Sequence, residues 1–72
     1  MITRVMRIKE LREQAGLTQT TFGSRVGVSQ TVVSEWEKEV YLPRARQMPL
    51  VAHVLGVTIN DLYNPAYLNS VS

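Results

Sequence analysis

Three glycines, Gly16, Gly27 and Gly56, each close a short stretch whose apolar residues recur at three- and four-residue spacing. Such a pattern puts one apolar stripe on each of several short helices and stops each at a residue able to adopt positive φ. Val5, Ile8, Leu11 and Ala15 mark the first helix, with Arg4, Arg7, Lys9, Glu10 and Glu13 between them. Thr18 caps a second, in which Phe22 and Val26 share a face, and Ser29 caps a third built on Val33 and Trp36. The stretch from Lys38 to Arg46, which contains Pro43, is a loop. Met48, Val51, Ala52 and Leu55 give a fourth helix, with Pro49 in its first turn, where a missing N–H costs least. Thr58 and Asp61 form a capping pair for a fifth, short helix through Ile59, Leu62 and Tyr63, which Pro65 ends. The expected fold is therefore all-α, with five helices.

Helices this short are marginal alone and hold only by packing together. At 72 residues the chain has apolar surface for one core, and with no cysteine it has neither a disulfide nor a thiolate metal site to supplement it. A core of this size supplies roughly 3–5 kcal/mol, so a second copy of the chain is an expected source of further burial. No apolar run approaches the ~18 residues of a membrane span, and the N-terminus lacks the pattern of a signal peptide. A cytoplasmic protein without membrane contact is expected. Net charge is +2 with a pI near 9.4, a mildly basic balance compatible with a polyanionic partner.

The informative block is QTTFGSRVGVSQTVVSEW, Gln19 to Trp36, in which two amphipathic segments meet at a tight turn containing Gly27. Gly23 is small where the second helix must approach the third closely. Gly27 supplies the positive φ needed to leave one helix and enter the next within a few residues. Phe22, Val26, Val28, Val33 and Trp36 form the shared core, which leaves Gln30, Thr31, Val32, Ser34 and Glu35 on the outer side.

From LREQAGLTQ through VSEWEKEVYLP to AHVLGVTINDL, about residues 5–63, the chain resembles the Cro/repressor helix-turn-helix family, also called the xenobiotic-response-element type. The spacing of Gln19, Gly23, Gly27, Val33 and Trp36, followed by Glu37 and Pro43, carries the resemblance. It implies a five-helix, lambda-repressor-like domain over 1–63, whose third helix enters the major groove of double-stranded DNA while the second lies across the backbone. Residues 64–72 are then a tail that frays or docks on a partner.

Carried over residue by residue, the resemblance makes Gln19 the phosphate-positioning residue, with Thr18, Ser29, Arg44 and Arg46 as further backbone contacts. Gln30 and Thr31 occupy base-reading positions, with Val32, Ser34 and Glu35 beside them. Glutamine bonds bidentately to adenine, Val32 suits a thymine methyl, and Glu35 can accept from cytosine N4. Arg12 and Glu37 match a partly buried ion pair of structural type. Two departures stand out. Glu39 replaces the family's usual glycine, so the third helix ends differently, and Glu35 is a carboxylate facing a polyanion, a device that rejects wrong sites.

Other residues read more plainly. Trp36 points inward as core, His53 sits on a helix surface without partners at metal-ligand spacing, and the N-terminal cations form a solvated face. Neighbouring carboxylates lack an enclosed cleft to shift their pKa values, so neither catalysis nor a cofactor or small-molecule effector is expected. The expectation is a transcriptional repressor acting as a homodimer on an operator, with Leu62, Tyr63, Tyr67 and Leu68 as dimer contacts. The alternatives are an antitoxin or restriction-system controller, and a protein-interaction adaptor on the same fold.

Overall fold

The computed structural model describes residues 4–71. Five α-helices follow in order: α1 (Ile8–Gln14), α2 (Gln19–Val26), α3 (Gln30–Glu37), α4 (Met48–Leu55) and α5 (Pro65–Ser70). Two 3-10 turns, Ala45–Gln47 and Asn60–Leu62, lead into α4 and follow it. The stripes expected from spacing meet in one core of Ile8, Leu11, Phe22, Val26, Val33, Trp36, Val51, Leu55 and their neighbours. At its centre the Phe22 and Trp36 rings meet edge to face, with centroids 6.5 Å apart, a favoured arrangement for aromatic quadrupoles.

The caps on α2 and α3 are those the sequence predicts. Thr18 Oγ1 accepts from the Thr21 N–H, and Ser29 Oγ from the Val32 N–H. At the other ends, Gly16, Gly27 and Gly56 all have φ between 72° and 81°. A glycine there lets the last carbonyls of α1 and α4 be satisfied by backbone N–H groups just beyond, as when Val57 donates to Ala52 and Leu17 to Arg12.

Two elements depart from the expectation. The first helix begins at Ile8 rather than near Val5, because residues before it pair with a distant segment. Arg7 N–H donates to the Leu62 carbonyl at 2.7 Å and Asn64 N–H to the Val5 carbonyl at 2.8 Å, around an isolated bridge between Met6 and Tyr63. Once their backbone groups have these partners, helix loses its advantage there, whatever the side-chain spacing.

The second departure lies at the other end. The Thr58–Asp61 pair forms, but it caps only a 3-10 turn, and Pro65 opens α5 instead of closing a helix. Asn64 Oδ1 accepts from the Ala66 N–H, so Pro65 stands at a position where its missing donor is not needed. The expected tail, 64–72, is thus mostly helical over its described part. Leu62, expected at a dimer contact, has no solvent exposure and belongs to the core. The 3-10 turn that Leu62 closes rolls its side chain inward, which leaves none of it for a dimer contact.

Candidate nucleic-acid interface

Three residues, Gly27, Val28 and Ser29, separate α2 from α3. So short a turn requires the two helices to touch. A Cβ placed on Gly23 would lie 2.7 Å from the Val28 carbonyl oxygen and 3.2 Å from Val33 Cγ2. Glycine is therefore required by space at 23 and by a φ of 81° at 27. Val33 and Trp36 face inward, which turns Gln30 and Thr31 outward as exposed residues and leaves Ser34 and Glu35 half-exposed beside them. Val32 packs partly on the core, so only part of its surface is offered outward.

Behind this face runs a continuous polar chain. Gln30 Nε2 donates to Gln19 Oε1 at 2.6 Å, and Gln19 Nε2 donates to Glu37 Oε1 at 2.9 Å. Glu37 in turn accepts from Arg12, whose Nε lies 2.6 Å from Oε2, while Arg12 Nη1 donates to the Leu17 carbonyl. Arg12 and Glu37 side chains keep only 10% and 5% of their exposure, so the ion pair is a buried one. The bond to Glu37 holds the Arg12 guanidinium above its ordinary pKa against the opposing effect of burial, so it stays charged. The expected ion pair between α1 and α3 is present, and Gln19 has a placement beyond the sequence reading. Its Oε1 accepts from Gln30 and one Nε2 hydrogen goes to Glu37, which leaves the second Nε2 hydrogen and the backbone at the start of α2 able to meet an anion.

The other expected phosphate contacts, Thr18, Ser29, Arg44 and Arg46, are all exposed. Thr18 and Ser29 stand at the helix starts, and Arg44 and Arg46 come before α4. Beside Gln19 and Ser34 a cleft of about 310 Å³ is lined by Arg4, Arg7, Lys9 and Lys38. Glu10 and Glu37 share this lining, and Arg7 lies 3.7 Å from the Glu10 carboxylate, so the four cations are balanced in part at this edge of α3. Tyr63 and Tyr67 stack with centroids 6.3 Å apart and, like Leu68, are half-buried. His53 lies exposed on α4, and no group of metal-ligand residues occurs among the described residues.

Two residues with a hand in the site escaped the sequence reading of roles. Glu39, where the family has glycine, keeps the glycine-like conformation at φ 58°. Its carboxylate accepts from the N–H groups of Val5 and Met6 at 2.9–3.0 Å, and Arg4 donates to the nearby Glu37 carbonyl. The turn at Glu39 then brings Tyr41 back along α3, where its hydroxyl donates to Glu35 Oε1 at 3.0 Å. The departure at 39 was visible in sequence; the contact at 41 has no local signal, since six residues separate the partners.

A family model described as helix-turn-helix matches residues 8–62. No curated protein matches the chain. Among solved structures it is similar to hydroxypropylphosphonic acid epoxidase from S. wedmorenis, at 32% identity and a TM-score of 0.70, over 82% of this chain and 31% of the other. The same enzyme in complex with fosfomycin matches with equal identity and TM-score, over 82% of this chain and 32% of that one. The chain spans about a third of the length of these structures. No helix among the described residues is long and apolar enough to cross a membrane.

Proposed function

The chain belongs to the Cro/repressor helix-turn-helix family of DNA-binding regulators, and from that premise we propose that it represses transcription by occupying an operator as a homodimer, with α3 in the major groove. The observation that carries the proposal is the outer face of α3, where Gln30 and Thr31 stand exposed on a helix locked from behind. Gln30 is held by Gln19, so a side chain able to make a bidentate contact to adenine is oriented before DNA arrives. Phosphate contacts fall to Arg44, Arg46, the starts of α2 and α3, and the cations bordering α3. One module of this size rarely separates its target from a genome of competing sites, which favours two copies on a two-fold operator about one helical turn apart. Tyr63, Tyr67 and Leu68 remain the proposed dimer contacts, and the cytoplasm the proposed compartment.

The proposal extends to the absence of catalysis by this chain. Its carboxylates have other duties: Glu37 holds Arg12, Glu39 holds backbone amides, and Glu35 holds Tyr41. The likeness to an epoxidase supports a second reading, in which the same fold serves inside or beside a larger protein as an interaction module without an operator.

Selection of binding sites from random duplexes separates the two. The expected result is an enriched two-fold motif, with Gln30→Ala relaxing preference at one or two base pairs while Arg46→Ala weakens all sequences alike and flattens the salt dependence by about one phosphate. Gln19→Ala is expected to reproduce part of the Gln30→Ala relaxation, because Gln19 orients Gln30. No enriched sequence from the unaltered chain would favour the interaction module.

A further inference from the structure

The end of α3 brings together a carboxylate on the DNA-facing side and a phenol from the loop beyond it. Glu39, in the left-handed region, reverses the chain, with the Glu39 N–H donating to the Trp36 carbonyl and the Val40 N–H to the Glu35 carbonyl, at 3.1 and 3.0 Å. This closure lays Tyr41 beside the last turns of α3. Its ring lines a shallow cleft with Val32, Trp36 and Leu42, and its hydroxyl donates to Glu35 Oε1. We propose that Tyr41 is a specificity-determining residue that acts through Glu35, fixing the carboxylate so that its second oxygen is offered to one exocyclic amino group in the major groove.

The inference rests on the DNA-binding reading above and deepens it. A glutamate on a face that meets phosphates is pushed toward solvent by their charge, and its long side chain has many rotamers to escape into. A tether removes both routes. An ionised carboxylate offers about four acceptor sites, of which the phenol takes one on Oε1. Oε2 accepts no hydrogen bond among the described residues and is left to act as a fixed acceptor. Cytosine N4 and adenine N6 present donors to such an acceptor, whereas guanine O6 and N7 and thymine O4 present lone pairs and are repelled. The same hydrogen bond to Glu35 raises the Tyr41 pKa further above its ordinary value of 10.0, so the phenol remains a donor at neutral pH.

The experiment compares site selection by the full chain with that by Tyr41→Phe, Glu35→Ala and the double variant, alongside thermal melting of each. Tyr41→Phe keeps the ring and removes only the tether. The expected result is an unchanged preference at the base pairs that respond to Gln30→Ala, and a loss of about fivefold or more in preference at one other base pair, within the roughly 5- to 150-fold discrimination of a good base contact. Glu35→Ala alters that same base pair, and Tyr41→Phe adds nothing further in the Glu35→Ala background, where the hydroxyl has no side-chain acceptor left at 35. A uniform fall in affinity for every sequence, or a profile that Tyr41→Phe leaves untouched, overturns this inference while leaving the DNA-binding reading intact. An unaltered chain that enriches no motif overturns both.

Discussion

At its entrance α3 is reached by a turn on Gly27, at φ 81°, and at its exit the chain turns on Glu39, at φ 58°. The two conformations are close, but different things hold them. At the entrance a missing side chain is the whole device: Gly27 bends freely, and Gly23 opens room for the Val28 carbonyl. At the exit a side chain is present and put to use. An L-residue in this region costs roughly 1–2 kcal/mol, while each hydrogen bond to a charged acceptor contributes roughly 1.5–3 kcal/mol, less where solvent reaches it. Glu39 offsets its own strain by gripping the extended segment at Val5 and Met6, which no glycine can do. One end of the helix is thus set by space and the other by a balance of strain against attachment.

The largest effect is expected where the exit is anchored to α1. Glu37→Ala leaves Arg12 charged and buried, at a cost of roughly 3–5 kcal/mol, comparable to the whole stability of a domain this small. Urea denaturation should find it largely unfolded, and a loss below 1 kcal/mol would show the pair to be ornamental. At the entrance, Gly23→Ala forces a methyl against backbone, and overpacking of this kind costs roughly 1–3 kcal/mol, or a Tm lower by roughly 4–24 °C. Unchanged melting would mean that the turn has slack and the contrast between the ends is false. Gly27→Ala should cost roughly 1–2 kcal/mol from φ alone, because open space surrounds the site.

The sharpest discrimination comes from Glu39→Gly. If attachment outweighs strain, this substitution lowers stability by roughly 1 kcal/mol or more, the low end of the difference between the opposing contributions above once solvent weakens the bonds, although it relieves the backbone. A stabilised variant would reverse the account of the exit. The smallest effect lies outside α3 and serves as its reference. Hydrogen bonds from the Thr58 N–H and then its side chain hold the Asp61 carboxyl below its ordinary value of 3.8, with Arg7 assisting. A depressed carboxyl contributes stability above its unfolded pKa and loses it as pH falls through the lower folded one. Acid titration of the melting curve should show a decline below about pH 4 that is slightly shallower in Asp61→Asn than in the unaltered chain.

Much of the molecule was legible because its signals are local. Caps at Thr18 and Ser29, glycines at 16, 27 and 56, and inward stripes ending in Trp36 each act within one or two turns, and the five-helix family fold follows from them. What escaped depends on partners far along the chain. Val5 matches the period of α1 yet pairs with Asn64, and Leu62 looked available until the 3-10 turn rolled it inward. Pro65 carries two meanings, stop and start, and only the Asn64 cap decides between them. At the candidate interface, Gln30 and Thr31 follow from periodicity, whereas the bonds of Gln19 to Glu37 and of Tyr41 to Glu35 exist only once the turns are closed.

The run from Gln30 through Gln19 and Glu37 to Arg12 joins the surface to the interior by an unbroken series of contacts. Anyone retargeting this scaffold by randomising its outermost side chains would be retuning strings while leaving the pegs in place. On the proposed reading, libraries that also vary position 19 reach preferences the outermost side chains alone do not encode, and drift in recognition can begin one hydrogen bond behind them.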